Sequence, residues 1–176
     1  MAEKLNGGQI IAKLLKQEGV EVIFTLCGLH VAPVYQGCWE EGIEIIDFRH
    51  EQAAVHAADA YARQTGKPGI AAVTAGPGVT DGLTGVANAY AAGSPVIFIG
   101  GASPQITKGK GALQELDQIP MFKSITKLSV GLDHIERVYG TFSYALRTAM
   151  SPKMGPVYID APYDILMSTC RAPKIE

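Results

Sequence analysis

The sequence predicts an open, doubly wound α/β domain with a mainly parallel sheet and helices on both faces. Short β-branched and apolar runs alternate with amphipathic or alanine-rich segments of helical length, as in chains built from βαβ units. The apolar runs contain few polar residues, which is typical of strands covered on both faces. With 176 residues, 47% of them hydrophobic, the chain is long enough for one domain with a sizeable core. We therefore expect residues 1–176 to form a single domain.

The amino-terminal part of the chain predicts a helix followed by a buried strand. Apolar residues recur at helical spacing over residues 9–18, so one face of this helix should be buried. Asn6 is a suitable N-cap, and Gly19 suits the left-handed turn after the last helical residue. The β-branched and apolar run at 20–26 then predicts the first strand of the parallel sheet.

The same alternation continues along the rest of the chain. Strands are predicted at residues 43–48, 69–75, 95–100 and 157–161, with a less regular extended piece at 125–130. Helices are predicted at 52–65, at 79–92 and from an Asp133 cap to about Met150. The alanines of the 52–65 helix either allow close packing against the sheet or a partner helix, or only reflect helix propensity. Residues 168–176 are predicted to be a frayed tail.

Bulk properties argue against several classes of function. The net charge is −2 and the basic residues are scattered, so we expect neither nucleic acid nor an anionic membrane as a partner. No apolar run approaches the roughly 20 residues needed to cross a bilayer. Cys27, Cys38 and Cys170 lack metal-ligand spacing, and their odd number without a secretory leader argues against a disulfide framework. We expect a cytoplasmic protein with no metal ligands of its own.

Candidate ligand-binding residues lie where the predicted strands end. The loops at the carboxyl ends of the strands form the binding crevice of open α/β sheets, and here they fall at 27–30, 49–51, 75–78 and 100–103. Gly76 and Gly78 permit a tight turn before a helix whose first amides are free, although composition alone favours a structural turn. The third glycine of a dinucleotide fingerprint and a phosphate-loop lysine are both missing. A free-standing nucleotide-binding domain is therefore the weakest alternative.

Glu51 is the strongest single candidate for chemistry. It stands where an apolar strand gives way to an alanine-rich helix, a position that shields a carboxylate from water. Such a carboxylate can share a proton with a ring nitrogen of a ligand. The alternative is an ordinary first-turn acid that the helix dipole favours.

Several ordered motifs together resemble a known family. The motifs are RHEQAA at 49–54, AADAYAR at 57–63, TAGPGVT at 74–80 and GVANAY at 85–90, followed by Ser94-Pro95-Val96 and Gly155-Pro156-Val157. In this order they resemble the pyrimidine-binding domain of thiamine-diphosphate enzymes of the acetolactate synthase, 2-hydroxyacyl-CoA lyase and benzaldehyde lyase group. The resemblance covers residues 9–166, which is nearly the whole chain.

The resemblance implies a role for each matching residue of the cofactor site. The family's glutamate, here Glu51, hydrogen-bonds to N1′ of the aminopyrimidine ring, so that the 4′ nitrogen can remove the proton from C2 of the thiazolium. Gly28, Pro77 and Asp81 would bind the same cofactor, although Asn is common where this chain has Asp81. The implied reaction makes or breaks a C–C bond next to a carbonyl, with a 2-oxo acid or a 2-hydroxy carbonyl compound as substrate.

Two further residues match catalytic positions of the group. His30 stands where benzaldehyde lyase has an active-site histidine and would relay protons to the substrate oxygen, whereas Cys27 replaces a histidine of that enzyme. Gln114 matches a glutamine that faces the reacting centre. For His30 and Gln114 the alternative is a polar loop residue with a local partner. His50 and His56 are interpreted as structural, at the strand end and on the helix respectively.

The second half of the family's cofactor site has no counterpart in the sequence. Family members bind the diphosphate through Mg²⁺ with a domain marked by a Gly-Asp-Gly segment, and no such segment occurs here. We therefore expect a split enzyme, in which a separate diphosphate-binding subunit holds Mg²⁺ and an α2β2 heterotetramer forms. The alternative is a non-catalytic regulatory or scaffolding homologue, which explains the missing half but leaves the retained Glu51, His30 and Gln114 without a role.

Overall fold

The computed structural model describes residues 4–172 and confirms the predicted α/β class, with a six-stranded parallel sheet. The strands are β1 (Lys4–Asn6), β2 (Val22–Leu26), β3 (Glu44–Asp47), β4 (Gly69–Val73), β5 (Val96–Ala102), β6 (Leu128–Gly131), β7 (Val157–Pro162) and β8 (Thr169–Arg171). The α-helices are α1 (Gly7–Gln17), α2 (Ala32–Glu40), α3 (Glu51–Thr65), α4 (Pro77–Ala92), α5 (Ile119–Phe122), α6 (Val138–Met150) and α7 (Tyr163–Met167).

The strand order β3-β2-β4-β5-β7-β6 creates a crevice at the carboxyl ends of β2 and β4. The chain leaves β2 in one direction to form β3 and then returns to the other side of β2 as β4. Helices α1, α2 and α6 contribute to the core on one face of the sheet, and α3 and α4 contribute to the core on the other. Because α2, which follows β2, and α4, which follows β4, lie on opposite faces, the carboxyl ends of β2 and β4 lie at a switch point, where open sheets bind ligands.

Local signals in the sequence predicted the first helix well. The Asn6 side chain accepts a hydrogen bond from the Gln9 amide at 2.8 Å, and the Gln9 side chain accepts one from the Asn6 amide at 3.0 Å. This reciprocal capping box satisfies two amides at the start of α1. Gly19 has the expected left-handed conformation, with φ of +73°. No helix within residues 4–172 has both the length and the apolar character needed to span a bilayer.

Four predictions about secondary structure are wrong in detail. Helix α2 was not expected. The piece at 125–130 becomes a strand only from Leu128, because residues before it form the bend that follows α5. Asp133 caps no helix, because its carboxylate is paired with Arg137 and α6 begins only at Val138. The tail at 168–176 is not simply frayed, since β8 pairs antiparallel with β1; its residues 173–176 lie outside the described part.

Candidate functional site

Glu51 is buried, and its carboxylate has no partner among the described residues. Helix α3 begins at Glu51, and the preceding His50 caps the helix by accepting a hydrogen bond from the Gln52 amide at 3.2 Å. The Glu51 residue is 8% exposed, yet within residues 4–172 it forms neither a hydrogen bond nor an ion pair. Every fully buried side-chain oxygen or nitrogen in this part of the chain has a partner. The Glu51 carboxylate therefore faces an opening, where it is free to bind a ligand.

The turn between β4 and α4 forms one wall of that opening. Gly76 has φ of +62° and ψ of −114°, a conformation that side chains with a Cβ strongly disfavour. A Cβ placed on Gly78 would lie 3.1 Å from the Oε1 atom of Glu51 and 2.9 Å from Thr74. The missing side chain at position 78 thus keeps the carboxylate accessible, while Pro77 is exposed at the first turn of α4.

Thr74 joins the other two candidate catalytic residues. The Nδ1 atom of His30 lies 3.0 Å from the Thr74 hydroxyl, which donates to the Oε1 atom of Gln114 at 3.4 Å. Because the hydroxyl has one proton, His30 must donate from Nδ1, and its Nε2 atom then carries the free lone pair. Sequence reasoning assigned no role to Thr74, since nothing but the fold brings positions 30 and 114 to either side of it.

The pKa of His30 agrees with this arrangement. His30 is 4% exposed, and its burial lowers the pKa of the imidazole from 6.5. Desolvation disfavours the charged form of a histidine. His30 is therefore neutral at physiological pH and is able to accept a proton at Nε2.

The remaining predicted site residues lie around the same opening. Gly28 packs against Thr74 so closely that a Cβ at position 28 would lie 2.3 Å from that side chain. Asp81 is exposed, and its carboxylate lies 4.0 Å from the Nε2 atom of His50. One side-chain atom each of His50, Glu51 and Asp81 lies within 4.8 Å of the others. His50 and Asp81 therefore form the rim of the opening beside Glu51. That the chain provides no metal ligand stays a prediction.

A separate cavity lies over the carboxyl ends of β5, β6 and β7. Its volume is about 950 Å³, and Lys108, Gln114, Gln118, Asp133 and Asp160 are among the residues that line it. Glu51 does not line this cavity. Gln114 therefore lies between two openings, with the Glu51 site on one side and this cavity on the other.

Comparison with known proteins decides the family. Residues 5–121 match the family described as thiamine pyrophosphate enzyme, N-terminal TPP binding domain. The chain belongs to this family. Thiamine pyrophosphate (TPP) is another name for thiamine diphosphate, so the resemblance inferred from the motifs is confirmed.

The relatives of this TPP-enzyme domain are longer proteins. The chain is 44% identical over 163 residues to 2-hydroxyacyl-CoA lyase 2 of Caenorhabditis elegans and 45% identical over 161 residues to that of Danio rerio. It is 39% identical over 163 residues to the acetolactate synthase large subunit IlvG of Mycobacterium tuberculosis. These matches cover 92% to 93% of this chain but only 26% to 30% of each relative. The chain thus spans between a quarter and a third of the length of the curated relatives it matches.

The residues at the opening suit the aminopyrimidine end of TPP. An unpartnered, mostly buried carboxylate can share a proton with a ring nitrogen, and the glycine turn leaves room beside it. The turn before α4 contributes only small or apolar groups to the opening, at Gly76, Pro77 and Gly78. His50 and Asp81 contribute ionisable groups beside Glu51.

Proposed function

We propose that this chain supplies the pyrimidine-binding half of a TPP-dependent active site, with Glu51 as the residue that shares a proton with N1′ of the cofactor. The observation that carries the proposal is the buried Glu51 carboxylate, which lacks a partner within residues 4–172 and faces an opening. Gly28, Pro77 and Asp81 would surround the ring. Bound TPP would supply the nucleophilic carbon and the electron sink for making or breaking a C–C bond next to a carbonyl.

His30 and Gln114 would act on the oxygen atom of the substrate. Since Nδ1 of His30 donates to Thr74, its Nε2 lone pair is available to take a proton from a substrate hydroxyl. The Oε1 atom of Gln114 is bound by Thr74, which leaves its NH₂ group to donate a hydrogen bond to a carbonyl oxygen. The two side chains thereby offer one acceptor and one donor.

The diphosphate and Mg²⁺ would be held by a separate subunit, in an α2β2 heterotetramer. Two observations support this part of the proposal. The matched family is an N-terminal binding domain, and the sequence contains no Gly-Asp-Gly segment. The names of the relatives favour a 2-hydroxyacyl lyase or an acetolactate synthase-like carboligase or decarboxylase, acting on a 2-oxo acid or a 2-hydroxy carbonyl compound. The three free cysteines suit a cytoplasmic enzyme.

Reconstitution tests the proposal directly. The neighbouring reading frames are searched for a Gly-Asp-Gly-bearing polypeptide, each such polypeptide is co-purified with the chain, and turnover of 2-oxo acids and 2-hydroxyacyl thioesters is measured with and without TPP and Mg²⁺. We expect turnover that requires both, and Glu51→Gln should reduce it by about 100-fold or more, since proton transfer is worth roughly that much.

Three results would contradict the proposal. Full turnover by Glu51→Gln would remove the role of Glu51. Absence of TPP binding by calorimetry of the wild-type complex would favour a scaffolding homologue. Absence of a Gly-Asp-Gly polypeptide that restores turnover would overturn the split arrangement.

A further inference from the structure

Gln118 is a buried polar residue to which the proposed mechanism assigns no role. It is 2% exposed, and both ends of its amide form hydrogen bonds. Its Oε1 atom accepts from the Gly76 amide at 2.6 Å. Its Nε2 atom lies 3.0 Å from the Gly101 carbonyl oxygen, 3.1 Å from the Tyr158 hydroxyl and 2.6 Å from Asp160 Oδ1.

These contacts fix the orientation of the Gln118 amide. Tyr158 donates to the same Asp160 oxygen at 2.7 Å, so Asp160 acts as an acceptor and requires the NH₂ end of Gln118. The opposite end must then be the oxygen, which is the only end that can accept from Gly76. A rotated amide would place an N–H donor against the Gly76 N–H and would leave Asp160 without one of its two donors.

The hydrogen bond to Gly76 joins the turn between β4 and α4 to the chain segment that contains Gln114 and Gln118. Gly76 begins the turn that brings Gly78 against Glu51, and a Cβ on Gly76 would lie 2.6 Å from the Gln114 carbonyl oxygen. Gln114 itself has φ of +58°, the only positive φ of a non-glycine residue within residues 4–172. The turn and Gln114 are therefore closely packed, and the Gln118 side chain holds the turn through the Gly76 amide.

Internal hydrogen bonds also hold together the segment that contains Gln114. The Glu115 carboxylate accepts hydrogen bonds from the amides of Gly109, Gly111 and Ala112. The Ser103 hydroxyl donates to the Leu113 carbonyl oxygen at 2.9 Å. These bonds join residues 109–115 into one segment, and Gln118 follows that segment three residues later, so its bond to Gly76 ties the turn to the end of the segment.

The geometry points to Gln118 as a positioning residue, whose amide locks the Gly76 turn to the Gln114 segment and so sets the distance between Glu51 and the group that binds the substrate oxygen. This inference rests on the proposed function, because it assigns a purpose to the same site. Gln118 touches neither cofactor nor substrate in this scheme and acts through Gly76 and Gln114.

The test compares two variants of the reconstituted enzyme. Gln118→Met keeps the side-chain volume and removes every hydrogen bond, whereas Tyr158→Phe is the matched control that removes one hydroxyl from the same cluster and leaves the bond to Gly76. We expect Gln118→Met to lower kcat by about 10-fold to 100-fold, because small misplacements cost that much. Tyr158→Phe should lower the Tm, because it removes a hydrogen bond, but should keep kcat within about 2-fold of the wild-type value.

Hydrogen exchange of the Gly76 amide separates this inference from the proposed function. In the full chain alone, that amide should exchange about 10-fold faster or more in Gln118→Met than in Tyr158→Phe. Equal exchange rates of the Gly76 amide in the two variants would refute the positioning role of Gln118, whatever turnover the assembled enzyme shows. If the wild-type complex shows no TPP-dependent turnover, the proposed function fails while the exchange result still decides whether Gln118 holds the turn.

Discussion

Two acids at the carboxyl edge of the same sheet have opposite surroundings. Glu51 follows β3 and is 8% exposed, and its carboxylate has no hydrogen-bond partner within residues 4–172. Asp160 lies in β7, and its Oδ1 atom accepts hydrogen bonds from the Tyr158 hydroxyl at 2.7 Å and from Gln118 Nε2 at 2.6 Å. Burial raises the pKa of Asp160 even though these donors oppose the shift. Glu51 is thus buried and Asp160 partly buried, but of the two carboxylates only that of Asp160 accepts hydrogen bonds from residues within 4–172.

The presence or absence of hydrogen-bond partners distinguishes a structural carboxylate from one that is available to a ligand. A buried carboxylate without a partner costs stability, and folds keep such groups where a ligand completes them. The Oδ1 atom of Asp160, which accepts two hydrogen bonds from its own chain, instead fixes the groups that donate to it.

The largest expected effect is the difference in stability between removing the Asp160 carboxylate and removing the Glu51 carboxylate. Asp160→Leu takes the acceptor from the Tyr158 hydroxyl and removes the shortest contact of Gln118 Nε2, so it should lower the free energy of unfolding by about 2 to 5 kcal/mol. Glu51→Gln removes a charge that no residue compensates, so stability should stay within about 1 kcal/mol of wild type or rise. Urea unfolding followed by circular dichroism measures both, and a large loss of stability in Glu51→Gln would show that Glu51 is a structural carboxylate as well.

Glycine turns provide an intermediate effect. Gly76 and Gly66 both have positive φ, at +62° and +71°, but a Cβ on Gly76 would lie 2.6 Å from Gln114 whereas nothing lies within 4 Å of one on Gly66. Gly66→Ala should therefore cost only the backbone strain, about 1 kcal/mol. Gly76→Ala adds a steric clash and should cost about 3 kcal/mol or more. Similar midpoints of thermal unfolding for the two variants would mean that the Gly76 turn and the Gln114 segment are not locked together.

The smallest expected effect concerns a third acid, Asp59, on the same helix as Glu51. Its carboxylate is largely desolvated, which raises its pKa, but hydrogen bonds from Arg63, Ser94 and Asn88 outweigh this and lower the pKa from 3.8. Because the folded-state pKa lies below the unfolded one, the stabilisation is complete well above pH 4 and is lost as the pH falls through the folded value. We expect a loss below about 1 kcal/mol.

Unfolding midpoints between pH 6 and pH 3 measure this dependence. Asp59→Asn should be less stable at pH 6 and should show a flatter profile in the acid range. Asp133→Asn is the matched control, since it removes an exposed carboxylate that is also paired with an arginine four residues away. If both variants flatten the profile equally, the α3–α4 contact between Asp59 and Asn88 contributes nothing specific.

Patterns carried by neighbouring residues predicted most of the fold. The alternation of apolar runs and helical segments identified five strands of the parallel sheet, and the Asn6 cap and the Gly19 turn lie where the sequence places them. Helix α2 was missed, because its sequence contains Pro33 and Gly37 and its apolar residues show only weak helical periodicity. Glycine at position 37 is required by packing instead, since a Cβ there would lie 2.7 Å from the Gly8 carbonyl oxygen on α1.

Local periodicity and motifs of adjacent residues were enough to predict the fold class, the family and Glu51 as the leading candidate. The hydrogen bonds that join Thr74 to His30 and Gln114, and the bond from Gln118 across 42 residues to the Gly76 amide, are visible only in the folded chain. Such hydrogen bonds join positions far apart in the chain. Their geometry exists only after the parallel strands have brought their carboxyl ends to one edge of the sheet.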